Sequence, residues 1–219
     1  GFVWVFYGKP ADAPDDLPMF AEFRGGFPYA ERSEVWSVHY SRAIENQLDV
    51  VHLPFVHPNT IGRGHKTLVN GPVTKWDDET LTFYVKNEPD RGQTPQKADE
   101  IENWQELNSL QYRVPNLWQN RIADDLRVMA AFAPIDDAHT KIYLRLYQRM
   151  VRVPVLRGLV CAAGNVANGV ILHQDRRVVL TQRPKKTELQ MGENLLRGDA
   201  PVIEFRSRRD ELKRAAGQS

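Results

Sequence analysis

A chain of 219 residues is long enough for one substantial domain or two small ones. Its 42% hydrophobic and 26% charged residues are ordinary for a globular protein, and 29 basic against 28 acidic residues give no basic excess to follow a nucleic-acid backbone. The single Cys161 excludes an internal disulfide framework or cysteine-built cluster, and apolar runs such as 153–160, interrupted by Arg157, fall short of the roughly 20 residues of a membrane span, so the expectation is a soluble, cytoplasmic protein.

Residues 2–7 are rich in aromatic and β-branched types, stop at Gly8-Lys9-Pro10, and read as a strand entered midway, without signal-peptide features. Residues 11–30 carry Pro14, Pro18, Pro28 and Gly25-Gly26, which break helix and strand alike, and read as a linker or wrapping loop. Alternation over 34–40 predicts a strand, and Ser41 a cap for a helix running to about Leu53, where Pro54 and Pro58 interrupt it. Residues 67–76 and 81–86 flank a turn at Asp77-Asp78-Glu79 as a hairpin, and 88–106 is a polar excursion. Strands resume over 110–114, 117–122, 126–134 and 140–150, with a tight turn at Asp136-Asp137.

Pro154 opens the longest helix, which runs to about Gln182; Gly158, Gly164 and Gly169 weaken its propensity but let a neighbour pack close. The charged run 207–216 reads as an exposed terminal helix. Strands grouped before one long helix predict an α+β domain, an antiparallel sheet packed on that helix.

The segment Glu45-Asn46-Gln47-Leu48-Asp49-Val50-Val51-His52-Leu53-Pro54-Phe55-Val56-His57 concentrates the chemistry. If its first part is helical, Asp49 and His52 share a face at i and i+3, and the break at Pro54 turns His57 back toward the same point. Without a thiolate, a metal here takes imidazole and carboxylate donors, and two histidines with one carboxylate is the pattern of oxygen-activating iron(II). The same donors also suit zinc in a hydrolytic site. Equally, His52 and His57 read as ordinary helix-end and loop histidines, and Asp175 as a solvated carboxylate beside an arginine. Asp136, Asp137 and Glu45 compete as carboxylates; His39, His65, His139 and His173 have no partner at diagnostic spacing. Cys161 reads as a small hydrophobe. Trp36, Phe55, Trp104, Trp118, Phe132 and Tyr147 are candidates to wall a pocket for an apolar or cyclic ligand.

The full pattern Glu-Asn-x-x-Asp-x-x-His-x-x-x-x-His resembles the iron motif of Rieske non-haem iron oxygenase α subunits, and His173-Gln174-Asp175-Arg176-Arg177-Val178-Val179 resembles the segment that supplies their third ligand. Residues 1–8 resemble the strand that closes the Rieske domain, and 133–140 the sheet hairpin of the catalytic domain. The resemblance implies a helix-grip, START-like fold, with an antiparallel sheet wrapped around a long C-terminal helix. It implies Fe(II) on His52, His57 and Asp175. It gives Asp49 the role of electron-transfer bridge to a neighbouring subunit's cluster ligand in a homotrimer; Asn46, about one turn before Asp49, is by its spacing a candidate to approach the metal or the bridge, or else a polar helix residue facing solvent. Residues 1–30 are then the end of a preceding Rieske domain and its linker, and 31–219 the catalytic domain. The 2Fe-2S cluster needs Cys-x-His and Cys-x-x-His pairs that this chain lacks, so the chain alone is expected to bind metal without turning over. The implied activity is hydroxylation or demethylation of an apolar, cyclic or aromatic substrate by O2, with electrons from a reductase or ferredoxin, as mono- or dioxygenase in aromatic compound metabolism. The rival is a metal-free helix-grip module that binds a hydrophobic ligand.

Overall fold

In the computed structural model, residues 2–6 and 8–217 are described. The elements in chain order are β1 (Tyr29–Trp36), α1 (Tyr40–Leu48), α2 (Leu53–Val56), β2 (Leu68–Asp77), β3 (Thr80–Glu88), β4 (Leu110–Arg113), β5 (Leu117–Ala123), β6 (Leu126–Pro134), β7 (Thr140–Gln148), α3 (Pro154–Val179) and α4 (Ala200–Ala215). The strands form one seven-stranded sheet in the order β1-β7-β6-β5-β4-β3-β2. Every neighbouring pair is antiparallel. Strands β2 to β7 thus form a meander, and β1 returns to the outer edge of β7, with Tyr29 opposite Tyr147 and Trp36 opposite Thr140.

Period-two alternation gives the sheet two apolar faces. Along β6, Ala130 and Phe132 point into the main core with Trp36, Ile44, Leu81, Phe83 and Phe205. Met129 and Ala131 point the other way, to Phe20, Phe27, Leu117 and Tyr147. The first face receives α1, α3 and α4; the second is covered by the N-terminal loops. Each fully buried Phe, Leu or Ile stabilises the fold by about 1.5–3 kcal/mol.

The long helix packs through its glycines. A side chain at Gly164 would fall on Leu146, and one at Gly169 on the Arg32 guanidinium, whereas nothing approaches Gly158. Arg32 donates to the Asn165 carbonyl at 3.0 Å and Asn165 donates to the Glu31 carbonyl at 3.1 Å, so α3 is tied to the edge strand β1. The helix is also long and apolar enough to cross a membrane by length and composition. Arg157 does not break that run as the sequence reading supposed, because one cation leaves the average over five turns apolar.

Several expectations are corrected. Residues 2–6 form no strand; they lie as coil with the Phe2 ring edge-on to Tyr143, while Gly1 and Tyr7 lie outside the described residues. The strand expected over 34–40 is β1, which begins at Tyr29 inside the expected loop and ends at Trp36. The cap of α1 is His39, whose Nδ1 accepts the Ser41 N–H at 3.2 Å, so Ser41 lies inside the helix. The terminal helix starts at Ala200 and is only partly exposed, burying Val202, Phe205 and Arg206.

Candidate metal centre

The chain leaves α1 at Asp49, not at Pro54. Asp49 is extended (φ −68°, ψ 112°) while its N–H still closes on the Glu45 carbonyl at 2.8 Å. Its carboxylate accepts the N–H of Val51 at 2.8 Å and of His52 at 3.2 Å, an Asx-type turn that reverses the chain. Pro54 then sits in the first turn of α2, where its missing N–H costs nothing, so it starts a helix rather than ending one. His52 precedes this single turn and His57 follows it, so the two imidazoles flank α2 and do not share one helical face. Behind them, a side chain at Gly62 would fall on the Leu53 carbonyl, which accepts the His57 N–H at 2.9 Å.

Asp175, buried on α3, meets the two rings. Its Oδ1 lies 2.9 Å from His57 Nε2 and 3.4 Å from His52 Nε2, and the ring centroids are 5.3 Å apart. The three donor atoms lie within 4.8 Å of one another. His52 donates its Nδ1–H to the Asp49 carbonyl at 2.8 Å, and His57 donates its own to Gln174 Oε1 at 2.7 Å, which also accepts from Thr60 at 3.2 Å. Each ring is thereby fixed with Nε2 toward Asp175. Burial alone disfavours the imidazolium of His57, but Asp175 and Gln174 outweigh it and raise its pKa. Burial likewise disfavours ionised Asp175, yet the two histidines prevail and lower its pKa, which keeps the carboxylate charged.

The three donors stand in the wall of a cavity of about 210 Å³ between the sheet and α3. Its remaining wall is apolar, with Trp118, Ala130, Ile142, Leu144 and Leu172, and its uncharged polar groups are Gln47, Asn120 and Asn168. No lysine or arginine is among the lining residues. Larger open grooves lie elsewhere, about 480 Å³ along α4 and about 610 Å³ outside Asp49 and His52, but neither has all three donors in its wall.

The other candidates lie outside the three-donor cluster. Asp49 Oδ2 is 3.8 Å from His52 Nδ1, so it is this residue's carbonyl, not its carboxylate, that orients the imidazole. Asn46 is buried with its Nδ2 unpartnered and does not line the cavity. Asp136 pairs with His139 in the β6–β7 turn, Glu45 with Arg42 and Arg206. Of the six aromatics only Trp118 lines the cavity; Trp36 and Phe132 are core, Tyr147 is on the opposite face, Phe55 is exposed and Trp104 is buried elsewhere. Gln174 and Thr60 were missed because nothing local marks a glutamine that meets a histidine more than a hundred positions away.

Residues 36–215 match the family model of the vanillate O-demethylase oxygenase C-terminal domain. The chain belongs to this family. The domain has the architecture of Rieske oxygenase catalytic domains, α+β and helix-grip. It superposes on the Pseudomonas putida CBB5 NdmA QL mutant with theobromine at TM-score 0.68, with 16% identity over 92% of this chain and 55% of that one. Dicamba monooxygenase bound to 3,6-dichlorosalicylic acid gives TM-score 0.59 at 12% identity, over 96% and 65%. In sequence, the domain is 42% identical over 65 residues to the chloroplastic chlorophyllide a oxygenase of Chlamydomonas reinhardtii, 29% of this chain and 10% of that protein. The chain spans just over half the length of the first of these structures and a tenth of the algal protein.

Proposed function

We propose that this domain is the oxygenase part of a Rieske-type enzyme, with one iron(II) held by His52, His57 and Asp175. The observation that carries the reading is the convergence of two Nε2 atoms and one carboxylate within 4.8 Å in the wall of an apolar cavity. The donor set fits the metal: two imidazoles whose other nitrogens are tied to Asp49 and Gln174, with one carboxylate, is the set that leaves positions open on non-haem iron. Bound there, iron supplies reductive activation of O2, with electrons from a 2Fe-2S Rieske cluster on a preceding domain fed by a reductase or ferredoxin.

The residues of this chain do the rest. The apolar wall takes a cyclic or aromatic substrate and removes water from around it. Gln47, Asn120 and Asn168 offer amides that orient such a ring for hydroxylation or demethylation. Asp49, partly exposed on the outer groove, is the carboxylate placed to meet a cluster ligand from a neighbouring subunit, as the homotrimer reading requires; its carbonyl fixes His52 from behind. Asn46, buried in the last turn of α1 with its Nδ2 unpartnered, is read as approaching the metal or the bridge at Asp49. Residues 1–30, of which 2–6 and 8–28 are coil and short turns against the outer face of the sheet, are read as the trailing end of the Rieske domain and its linker, with 31–219 as the catalytic unit in the cytoplasm.

The test is iron content after anaerobic reconstitution with iron(II), on the wild type beside Asp175→Ala. About one iron per chain, lost in the variant, is the expected result. A wild type that takes up no iron returns the domain to a metal-free ligand-binding module, and a preference for zinc to a hydrolytic site.

A further inference from the structure

The wall of the cavity is polar in one particular way. Its ionisable side chains are the carboxylates of Asp49 and Asp175 and the imidazoles of His52 and His57, and no lysine or arginine stands among them. A carboxylate that entered would lose its water and meet like charge. With both imidazoles engaged as ligands, the only positive charge left to it would be the metal's.

In place of cations the wall holds amides and one indole. Asn168 lies on α3 two turns before Asp175, about 10 Å along the axis. Ile171 and Leu172 line that interval and give it an apolar floor. Trp118 and Asn120, two positions apart on β5, share one face of the sheet, and Gln47 belongs to the last turn of α1. Two of these side chains are short of a partner: Asn168 Nδ2 and Trp118 Nε1 are buried donors with no acceptor among the described residues. Trp118 as a whole is only 6% exposed. A buried N–H without an acceptor is costly, and native interiors leave few of them. A carbonyl oxygen on a ligand supplies what the two donors lack, and the amide oxygens of the wall can take an N–H in return. A hydrocarbon ring offers neither group, and a carboxylate has no N–H to give.

We infer that the cavity selects an uncharged ring with a carbonyl or amide edge, such as a carboxamide or a lactam, and turns away aromatic carboxylates, with Asn168 and Trp118 setting the choice. The inference rests on the oxygenase reading for calling this ligand a substrate, whereas the preference itself is measured without turnover. The test is equilibrium dialysis of the chain in sealed cells, metal-free and after anaerobic reconstitution with iron(II), with iron content measured on the same samples. The probes are benzamide and 2-quinolone as neutral amides, benzoate and 2-naphthoate as anions, and toluene and naphthalene as rings without a polar edge. The amides are expected to bind at least about tenfold more tightly than the matched anions and bare rings. Asn168→Leu removes an unpartnered donor at similar volume, and Trp118→Phe removes the indole N–H while keeping an aromatic ring. Each is expected to weaken amide binding by about five- to tenfold and to leave the bare rings unchanged, with a thermal melt checking the fold. The inference is overturned by anions that bind as tightly as the amides in either form of the protein; if they do so only with iron present, the metal is their counter-charge. It is equally overturned by bare rings that match the amides, by a variant that keeps the wild-type preference, or by a chain that takes up none of the six probes. Iron content separates the two readings: amide preference without iron uptake keeps the selectivity and removes the oxygenase, and iron uptake with anion preference does the reverse.

Discussion

Gln174 decides which nitrogen of His57 faces Asp175. Its Oε1 takes the Nδ1–H at 2.7 Å and is steadied by Thr60, so the ring cannot turn without breaking a buried hydrogen bond. Gln174→Leu removes the acceptor at similar volume. Partners of metal-bound imidazoles contribute about 10–100-fold in affinity, so iron titration should show at least about tenfold weaker binding, with Gln174→Glu recovering most of it; unchanged affinity in the leucine variant would assign Gln174 to packing.

His39 carries a second expectation at the same scale, in stability rather than chemistry. Ser41 Oγ accepts the Thr187 N–H at 3.1 Å and so has its own proton free for His39 Nδ1 at 2.8 Å, which also accepts the Ser41 N–H. That nitrogen has no room for a proton. Burial first, then Arg209 and Lys186, push the His39 pKa down to about 4 from 6.5, against weaker opposition from Asp137 and Glu188. Between those values the unfolded chain binds a proton that the native state refuses. The contribution is therefore fully present above pH 6.5 and is lost as pH falls toward 4, by at most about 3 kcal/mol. His39→Asn keeps a capping acceptor and should flatten that acid limb in thermal melts; parallel losses in both proteins would place the titration elsewhere.

Among the elements, the loop that follows α2 is tightly constrained where it folds back on the start of that helix. The backbone at Gly62 approaches the Leu53 carbonyl so closely that a methyl group has no space, and the obstacle is main chain, not a side chain that can swing away. Gly62→Ala should cost about 1–3 kcal/mol and displace His57, so both the denaturation midpoint and iron uptake should fall; a variant with wild-type melting and iron content would show that the loop yields freely. At α4 the decisive contact is electrostatic. Glu45 is buried between Arg206, at 2.8 and 3.1 Å, and Arg42, at 3.1 Å. Glu45→Ala leaves two buried guanidinium groups to the partly exposed Glu193 and should destabilise by about 3 kcal/mol. Denaturant melts should rank this loss well above that of Glu193→Ala.

The same elements show what a sequence can and cannot carry. Strands β2 to β7 were legible because their alternation is strong and their connections carry Asp-Asp, Pro and Asn. The edge strand β1 was half hidden, since Glu31 and Arg32 carry no strand signal until Arg145 and Asn165 supply their partners. The depth of α4 was hidden by its charge, because Arg206 and Glu204 find acceptors and donors on Glu45 and Trp76 that no local pattern announces. At the centre, His52 and His57, singled out by their spacing, lie beside Asp175, which only the resemblance singled out. The path there differs: the i, i+3 face was an inference from helix geometry, whereas the chain is already extended at Asp49.

At the scale of the whole molecule, the sheet, the α1–α2 turn and α3 enclose the cavity together, so its volume can be changed without touching a donor. Ala130 sits in its wall on β6, buried, with its side chain toward α3. Leucine at that position extends into empty space, so the fold should gain or lose less than about 1.5 kcal/mol, and iron content should match the wild type because His52, His57 and Asp175 keep their supports. What should disappear is room: a cavity of about 210 Å³ has little to spare for a ring. If the proposed oxygenase reading holds, then in the longer protein assayed with a cluster and an electron donor, Ala130→Leu should raise the KM for a two-ring substrate more than for a one-ring substrate. If both substrates lose alike, or iron falls with them, the sheet face of the cavity supports the centre instead of the substrate, and the division of labour between wall and donors is not the one drawn from these residues.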